Sequence, residues 1–299
     1  MILSIGEILA DMIGTKRGRH VELECFAGGA PFNVAVGVAR LGGEVSFLGC
    51  VGQDEVGDFL KAYAEEEGLS EHVKRDETRN TTIAFVTLNE EGERSFSFLR
   101  NHTADYALSA SDAEPLILQA DLVHIGSLML SEEEGRAFAE WAYAFAKANG
   151  KKVSFDVNYR EDIFQSAEEA KEIYTGWLSR ADVLKLSEDE AALFFGEKRE
   201  AELKRLSMGR KVFVTLGKHG SVLYENGVAT TCPSICVQVT DTTGAGDAFY
   251  AGALAQIDRG VTDARQILSF ANVCGALATT KHGATEALPN REEVKKLLN

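Results

Sequence analysis

Short apolar segments alternate with longer segments of helical periodicity along most of this chain. The apolar runs typical of buried strands are Ile2–Ile5, Val45–Leu48, Leu122–Ile125, Val153–Phe155, Val183–Leu186 and Val212–Thr215. The segments with helical spacing between them are Pro31–Leu41, Val56–Glu67, Glu132–Asn149, Ala167–Ser179 and Asp189–Phe195. This alternation predicts an α/β fold in which a mostly parallel central sheet carries helices on both faces. Since the sequence shows no repeat, low-complexity tract or long linker, we expect residues 1–299 to form a single domain.

One region departs from the alternation. The strands predicted there are Thr81–Leu88, Glu93–Leu99 and the extended segment Arg19–Phe26. The first two would form a hairpin around the turn Asn89-Glu90-Glu91-Gly92. We expect a small antiparallel sheet, formed by about residues 12–27 and 79–105, that covers a pocket as a lid. A hairpin that only decorates the surface fits the same pattern.

The composition argues against several classes of function. The net charge is −15, whereas binding to nucleic acid or to an anionic membrane surface needs a basic patch. The segment Met1–Ile13 is apolar but carries Glu7 and Asp11, so it predicts a buried strand and not a signal peptide. No uncharged stretch reaches the ~18 apolar residues of a membrane span. The five cysteines are scattered among apolar residues, as is typical of reduced thiols, and we expect a cytoplasmic location.

A glycine-rich segment near the C-terminus carries the strongest chemical signal. It reads Asp241-Thr242-Thr243-Gly244-Ala245-Gly246-Asp247-Ala248-Phe249 and leads into a helical stretch of small apolar residues. A helix that begins there directs unpaired N–H groups and its positive dipole end toward a ligand, with Asp247 in its first turn. This pairing suits phosphoryl transfer to a hydroxyl, because the amides hold negative charge while the acid accepts the proton. On these residues alone, a glycine-rich loop with a dipole-stabilising aspartate is an equal alternative.

A second segment of small residues precedes a predicted helix. It reads Ala27-Gly28-Gly29-Ala30-Pro31-Phe32-Asn33. Paired glycines allow a ligand to approach the backbone closely, and Asn33 can donate to and accept from a polyhydroxyl ligand. A tight strand-to-helix turn explains a lone Gly-Gly pair as well. The sequence contains neither a P-loop nor a dinucleotide-binding G-x-G-x-x-G after its first strand.

In combination and in this order, the motifs resemble those of the ribokinase-like (PfkB) carbohydrate kinases. The stretches that carry the resemblance are Gly28–Asn33, Gly49–Gly57 and Asp241–Asp247. Within the family the chain is most similar to fructokinases, through Gly6–Asp11, Val34–Gly43, Ala84–Leu88 with Gly92–Arg94, and Phe98–Asn101 with Ala104-Asp105. The resemblance covers essentially the whole chain. It implies a ribokinase-like α/β fold with a β lid.

The resemblance also implies catalytic and sugar-binding roles. Asp247 would be the catalytic base, and the amides of Gly244, Ala245 and Gly246 would form the anion hole. The residues that would hold the sugar are Asp11, Gly28, Gly29, Asn33, Arg100, Arg160 and Asp247. For the two arginines, surface salt bridges are the alternative. The chain departs from the family at Val157, where a proline is usual.

The resemblance places ATP and metal ions as well. The residues that would bind ATP are Ser187, Thr215, Gly217, Lys218, Gly220, Gly244, Gly246 and Asn272. Glu190 would act through water on Mg²⁺. Asp241 and Thr243 resemble the region where many members bind a monovalent cation such as K⁺. Without the resemblance, Ser187 would be a helix cap and Asn272 would serve helix packing.

The sequence therefore predicts an ATP-dependent sugar kinase that phosphorylates fructose to fructose 6-phosphate. A 2-keto-3-deoxygluconate kinase of the same fold is an alternative, because Arg100 and Arg160 could clamp a carboxylate. A nucleoside kinase fits less well, because Asp11 and Asn33 suit a polyol. A non-catalytic sugar-binding regulatory protein is a further alternative, which the intact Asp247 disfavours. We expect a homodimer that pairs through exposed lid strands, and neither nucleic acid nor a membrane as a partner.

Overall fold

A computed structural model covers residues 1–88 and 94–298, with all side chains there except those of residues 15–17, 87, 88 and 94–96. Its strands are β1 Ile2–Ile5, β2 Leu9–Arg17, β3 His20–Gly28, β4 Val45–Gly52, β5 Val73–Asp76, β6 Ile83–Leu88, β7 Arg94–Leu99, β8 Leu122–Ile125, β9 Lys152–Asp156, β10 Val183–Ser187, β11 Lys211–Thr215, β12 Ser221–Glu225 and β13 Val228–Cys232. Its α-helices are α1 Ala30–Arg40, α2 Glu55–Glu66, α3 Ala110–Gln119, α4 Glu133–Ala148, α5 Ala167–Leu178, α6 Glu188–Phe195, α7 Arg199–Leu206, α8 Ala245–Asp258, α9 Ala264–Ala278 and α10 Arg291–Leu297. The strands and helices predicted from the alternation are confirmed. No helix in this part of the chain is both long and apolar enough to cross a bilayer.

The larger sheet has the strand order β13-β12-β11-β10-β9-β8-β1-β4-β5. All neighbouring pairs from β11 to β5 are parallel, whereas β12 and β13 are added antiparallel at one edge. Along β1, Ile2 packs in a cluster with residues of α1, α8 and α9, whereas Leu3 packs with residues of α3 and α4 on the opposite face. Helices therefore cover both faces, as the predicted α/β fold requires.

A smaller sheet, ordered β3-β2-β6-β7, contains the segments predicted for the lid. β2 with β3 and β6 with β7 form antiparallel pairs, and a parallel pairing of β2 with β6 joins them. The predicted extended segment Arg19–Phe26 is confirmed as β3. The predicted turn Asn89-Glu90-Glu91-Gly92 and Glu93 lie outside the described residues.

The single buried strand predicted for Met1–Ile13 is wrong. β1 belongs to the larger sheet and β2 to the smaller one. The chain changes direction between them at Gly6, whose φ is 151° and where a Cβ atom would lie 2.6 Å from Cγ of Pro31. Because only glycine fits there, the chain can pass from one sheet to the other. Glu7 and Asp11 consequently lie where the two sheets approach each other.

Helices α1 and α8 come unusually close at a glycine. A Cβ atom on Gly37 would lie only 2.6 Å from Cβ of Ala251. Four residues earlier on each helix, and therefore on the same helix faces, lie Asn33 and Asp247. Nδ2 of Asn33 donates a hydrogen bond to Oδ2 of Asp247 over 2.8 Å. The absence of a side chain at position 37 thus allows the two helices to bring these polar groups together.

We expect Gly37→Ala to destabilise the protein, because the added methyl group must push α1 away from α8. Overpacking of this kind costs about 1–3 kcal/mol, which thermal or urea unfolding would detect. Gly176→Ala in α5 is the matched control, since a Cβ atom there would meet no other atom within 4 Å. That change should stabilise the protein by about 0.5–1 kcal/mol. A Gly37→Ala variant as stable as the parent would contradict the proposed constraint.

Candidate active site

A cavity of about 410 Å³ opens at the carboxyl ends of the parallel strands. Ser187 and Thr215 end β10 and β11 at its wall, and Asn158 follows β9. This is the edge at which α/β sheets commonly bind ligands. The predicted site residues that line it are Asp11, Gly29, Asn33, Arg160, Ser187, Glu190, Thr215, Thr243, Gly244, Gly246 and Asp247.

The glycine-rich segment begins α8 at the wall of this cavity. Gly244 precedes the helix with a left-handed φ of 72°, and a Cβ atom there would lie 3.0 Å from Cα of Ala284. The first N–H groups of a helix have no partner within the helix, and the positive end of its dipole adds to their attraction for anions. Among the predicted anion-hole amides, that of Ala245 makes a long hydrogen bond of 3.3 Å to the carbonyl of Thr242. The helix end therefore has the properties of an anion-binding site.

Asp247 lies in the first turn of α8, oriented by hydrogen bonds. The hydroxyl of Thr285 donates to Oδ1 of Asn33 over 2.7 Å, which turns the amide nitrogen of Asn33 toward Asp247. Removal from bulk water raises the pKa of Asp247, whereas the Lys185 ammonium, the Asn33 hydrogen bond and Arg160 oppose that shift. A carboxylate with a raised pKa accepts protons more readily, so its position suits a general base.

Sequence reasoning misses Lys185, which lines the same cavity. Its Nζ atom lies 2.8 and 3.0 Å from the two carboxylate oxygens of Asp156, and both side chains are buried. Burial disfavours the charge of the ammonium, but the Asp156 carboxylate raises the pKa of Lys185 above its ordinary value. A Cβ atom on Gly246 would lie 3.0 Å from Nζ, so the ammonium group of Lys185 lies beside the anion-binding helix end. A lysine within the apolar strand Val183–Leu186 is the sequence signal that could have revealed this buried pair.

The paired glycines are pressed against the segment that follows β1. A Cβ atom on Gly28 would lie 2.4 Å from Oδ2 of Asp11, and one on Gly29 would lie 2.5 Å from the backbone oxygen of Glu7. Gly29 also has a φ of 106° immediately before α1. The two glycines therefore let the start of α1 pack beside Asp11, with Asn33 one turn further on.

The two predicted arginines have different surroundings. Arg160 lines the cavity, and its Nη1 donates to the carbonyl of Tyr159 over 2.9 Å. Arg100 lines a neighbouring cavity beside the smaller sheet, and its Nη2 pairs with the buried carboxylate of Asp105 over 2.6 Å. The structure thus places Arg160 with Asp247 and engages Arg100 in an internal ion pair. A role for Arg100 toward substrate stays a prediction.

The loop before Arg160 carries Val157 at the position where a proline is usual in the family that the sequence resembles, and this valine adds a hydrogen bond. The backbone N–H of Val157 donates to the carbonyl of Lys185 over 3.1 Å, a bond that proline could not make. The next residue, Asn158, has a left-handed φ of 38° and lines the cavity.

A second, mostly apolar cavity of about 500 Å³ meets the first at the N-terminus of α8. The two cavities share Thr215, Thr242 and Gly246. The remaining predicted nucleotide residues on its wall are Gly217, Lys218, Gly220 and Asn272. Asn272 donates to the carbonyl of Cys232 and accepts from the hydroxyl of Ser221, so it also fixes α9 to β12 and β13. An apolar slot next to an anion-binding helix end suits the base and the phosphates of a nucleotide.

The residues predicted to act on metal ions are already hydrogen-bonded to the backbone. Glu190 accepts from the N–H groups of Ser187 and Tyr159, and Ser187 caps α6 in return. Asp241 accepts from the N–H groups of Thr243 and Gly283, which ties the glycine-rich segment to the loop 282–285.

Within residues 1–88 and 94–298, no three His, Cys, Asp or Glu side chains are placed to hold a metal ion by themselves. The carboxylate of Glu190 at the cavity wall fits an ion held mainly by phosphate oxygens and water, as Mg²⁺ commonly is.

Residues 1–291 match the pfkB family carbohydrate kinase. The chain belongs to this family of sugar kinases. A probable fructokinase-4 from Arabidopsis thaliana is 37% identical, across 100% of this chain and 96% of the relative. The fructokinase from Xylella fastidiosa with bound ATP superposes with a TM-score of 0.91 at 34% identity, covering 99% of this chain and 97% of that one. A double mutant of the fructokinase from Vibrio cholerae O395, with fructose, ADP and a potassium ion, has a TM-score of 0.88 at 32% identity and covers 100% and 98%.

For this kinase we expect kcat/KM for the sugar to fall as the pH drops through the raised pKa of Asp247. The carboxylate that accepts the proton is present above that pKa and lost below it. Asn33→Ala removes a hydrogen bond that favours the charged form, so the acidic limb of the pH–rate profile should move to higher pH. Asn272→Ala, in the second cavity, is the control and should leave that limb in place. An unchanged limb in Asn33→Ala would show that the hydrogen bond does not tune the base.

Proposed function

We propose that this protein is an ATP-dependent fructokinase that converts D-fructose and ATP into fructose 6-phosphate and ADP. The observation that carries the proposal is the position of Asp247, on an anion-binding helix end where a polar and an apolar cavity meet. The polar cavity offers Asp11 and Asn33 to a polyol, and the apolar one suits a nucleotide base. The fructokinase names of relatives across the full chain support fructose as the sugar.

In this mechanism Asp247 accepts the proton of the attacking sugar hydroxyl. The amides of Gly244, Ala245 and Gly246 stabilise the negative charge that develops on the transferred phosphoryl group. The guanidinium of Arg160 lines the same cavity and adds positive potential there. The ammonium of Lys185 lies close to Gly246, but its charge is largely compensated by Asp156. The sugar hydroxyl would therefore lose its proton next to the phosphoryl group that it attacks.

The nucleotide would lie along the second cavity. Its base would occupy the apolar wall near Asn272, and its phosphates would extend past Thr215 toward α8. The residues that would bind it are Ser187, Thr215, Gly217, Lys218, Gly220, Gly244, Gly246 and Asn272.

Mg²⁺ would be held by phosphate oxygens and by water oriented by Glu190, and when bound it neutralises charge on the phosphates. K⁺ would bind between the segment of Asp241 and Thr243 and the loop 282–285, which the hydrogen bond from Gly283 to Asp241 keeps together. The potassium ion bound to the Vibrio cholerae fructokinase supports K⁺ as a ligand of this protein.

The smaller sheet would act as a lid over the sugar, formed by about residues 12–27 and 79–105 of the single domain 1–299. Phe98 of β7 lines the first cavity, which would hold the sugar and is called the sugar-side cavity below, so the smaller sheet contributes to the wall of the site. Closure would exclude water and thereby limit hydrolysis of ATP. The net charge of −15 supports a protein that binds neither nucleic acid nor membranes. The five free cysteines support a cytoplasmic location.

A coupled assay of ADP release with Mg·ATP, on fructose, 2-keto-3-deoxygluconate, ribose, glucose and adenosine in parallel, tests the substrate. We expect kcat/KM for fructose to exceed the others by roughly tenfold or more, equivalent to ~1.4 kcal/mol of transition-state preference. Asp247→Asn is the control for a contaminating kinase, and it should lose roughly a hundredfold or more in kcat. Binding of ATP without turnover of any sugar would favour a non-catalytic sugar-binding protein instead.

A 2-keto-3-deoxygluconate kinase remains the second candidate, because the cation Arg160 faces the cavity that would hold the sugar. If Arg160 clamps a carboxylate, Arg160→Ala should raise KM far more for the acid than for fructose. Equal effects on the two sugars would remove this candidate.

The exposed face of the smaller sheet supports a homodimer. Val21 and Leu23 of β3 are 63% and 50% exposed, and β3 is an edge strand. Gel filtration at micromolar concentration should therefore give an apparent mass of about twice the 32.4 kDa of one chain. Val21→Lys and Leu23→Lys together should shift the protein toward the monomer, whereas Met208→Lys, at another exposed apolar residue, should not. A parent protein that elutes as a monomer would refute this interface.

A further inference from the structure

Glu7 is a buried carboxyl group to which nothing above gives a role. It lies in the connection from β1 of the larger sheet to β2 of the smaller one. Its side chain lines the sugar-side cavity, and the residue is 1% exposed. Within the described part of the chain, neither Oε1 nor Oε2 has a hydrogen-bond partner. Buried polar side chains in folded proteins are nearly always paired, so a pair of unmatched oxygens at a cavity wall indicates a partner from outside the chain, an ordered water or a bound ligand.

The packing around Glu7 holds the carboxyl group in place. A Cβ atom on Gly126 would lie 2.9 Å from Oε2 and equally close to Cγ of Pro31. No side chain would fit at position 126 without displacing one of them. The absence of a side chain there leaves the carboxyl group its space.

The charged groups near Glu7 favour its neutral form. Burial raises the pKa of Glu7 to about 8, and the carboxylates of Asp105 and Asp247 add to the shift. The Arg100 guanidinium opposes it, as does the backbone N–H of Glu7, which is near but not in hydrogen-bonding geometry. Since Arg100 already pairs with Asp105, its charge is largely compensated. At neutral pH the group is therefore mostly a carboxylic acid.

A carboxylic acid offers one O–H donor and an acceptor oxygen, and a sugar hydroxyl offers the same two functions in return. Leu9, Phe98 and Leu128, which line the same cavity, offer no polar side-chain atom to such a hydroxyl. We propose that Glu7, as a neutral acid, hydrogen-bonds one non-reacting hydroxyl of the bound sugar and thereby helps to select it. The proposal rests on the proposed function for the identity of the ligand as a sugar.

The first test compares Glu7→Gln with Glu7→Ala by steady-state kinetics near pH 7. Glutamine keeps a donor and an acceptor without charge, so its KM for fructose should stay within about threefold of the parent. Alanine should raise that KM by roughly tenfold or more, while KM for ATP stays the same in both variants. A KM for fructose that is unchanged in Glu7→Ala would overturn the proposal. An equal loss in both variants would show that the ionised form binds.

The pH dependence supplies a second readout that a purely structural role would not move. Because the pKa of Glu7 is raised, its neutral form is present below about pH 8 and is lost as the pH rises through that value. In the parent, KM for fructose should therefore rise between about pH 7 and pH 9, and Glu7→Gln should abolish this rise. Persistence of the rise in Glu7→Gln would assign it to another group.

Glu286→Gln is the matched control. Burial also raises the pKa of Glu286, one of its oxygens is likewise unpartnered, and it lies outside the walls of both cavities described above. The kinetics of Glu286→Gln toward fructose should match those of the parent at each pH, and Glu286→Ala should keep KM for fructose within about threefold of the parent. A KM raised as much in Glu286→Ala as in Glu7→Ala would show that removal of any buried carboxyl group disturbs the site, and would overturn the proposal.

Deoxy sugars separate this proposal from the proposed function. With the parent, one of four analogues should lose roughly as much kcat/KM as Glu7→Ala loses for fructose: 1-, 3- or 4-deoxyfructose, or 2,5-anhydromannitol, which lacks the anomeric hydroxyl. Glu7→Ala should not distinguish that analogue from fructose. Additive losses for all four analogues would overturn the role of Glu7 while leaving fructokinase activity intact. Failure of the parent to phosphorylate fructose would instead refute the proposed function.

Discussion

The contact between α1 and α8 at Gly37 and Ala251 positions the chemistry of the whole site. The two helices can touch only because position 37 has no side chain, and one turn away the same contact brings Asn33 against Asp247. The paired glycines before α1 and the left-handed Gly244 before α8 set where each helix begins. Helix packing therefore fixes the distance between a segment at the start of the chain and one near its end.

The acidic side chains of the site differ in how their negative charge is compensated. The carboxylate of Asp247 repels both Asp156 and Glu7, but the ammonium of Lys185 pairs with Asp156 and attracts Asp247. Glu7 avoids the conflict by staying largely protonated. The unpaired N–H groups and the positive dipole end at the start of α8 remain to attract the phosphates of a nucleotide.

Much of this architecture could be predicted from the sequence, because the signals are local. Buried parallel strands are mostly apolar runs, so β1, β8 and β10 are evident, and the glycine-rich start of α8, together with the family resemblance, predicts Asp247 as a base. The single strand expected for Met1–Ile13 failed because apolar character does not show a change of sheet at Gly6. Lys185 was missed because its partner, Asp156, is 29 residues away and pairs with it only across β9 and β10.

The sequence by itself determined the α/β class and the kinase family, and it predicted Asp247 as the base and the amides of Gly244, Ala245 and Gly246 as the anion hole. These follow from periodicity and from motifs in which neighbouring residues act together. The tertiary structure alone decided that Arg100 pairs with Asp105 whereas Arg160 lines the cavity, and that Glu7 has no partner. Those assignments depend on burial and on side chains distant in sequence. The free energy of a buried charge is set by its surroundings in space, which no local pattern records.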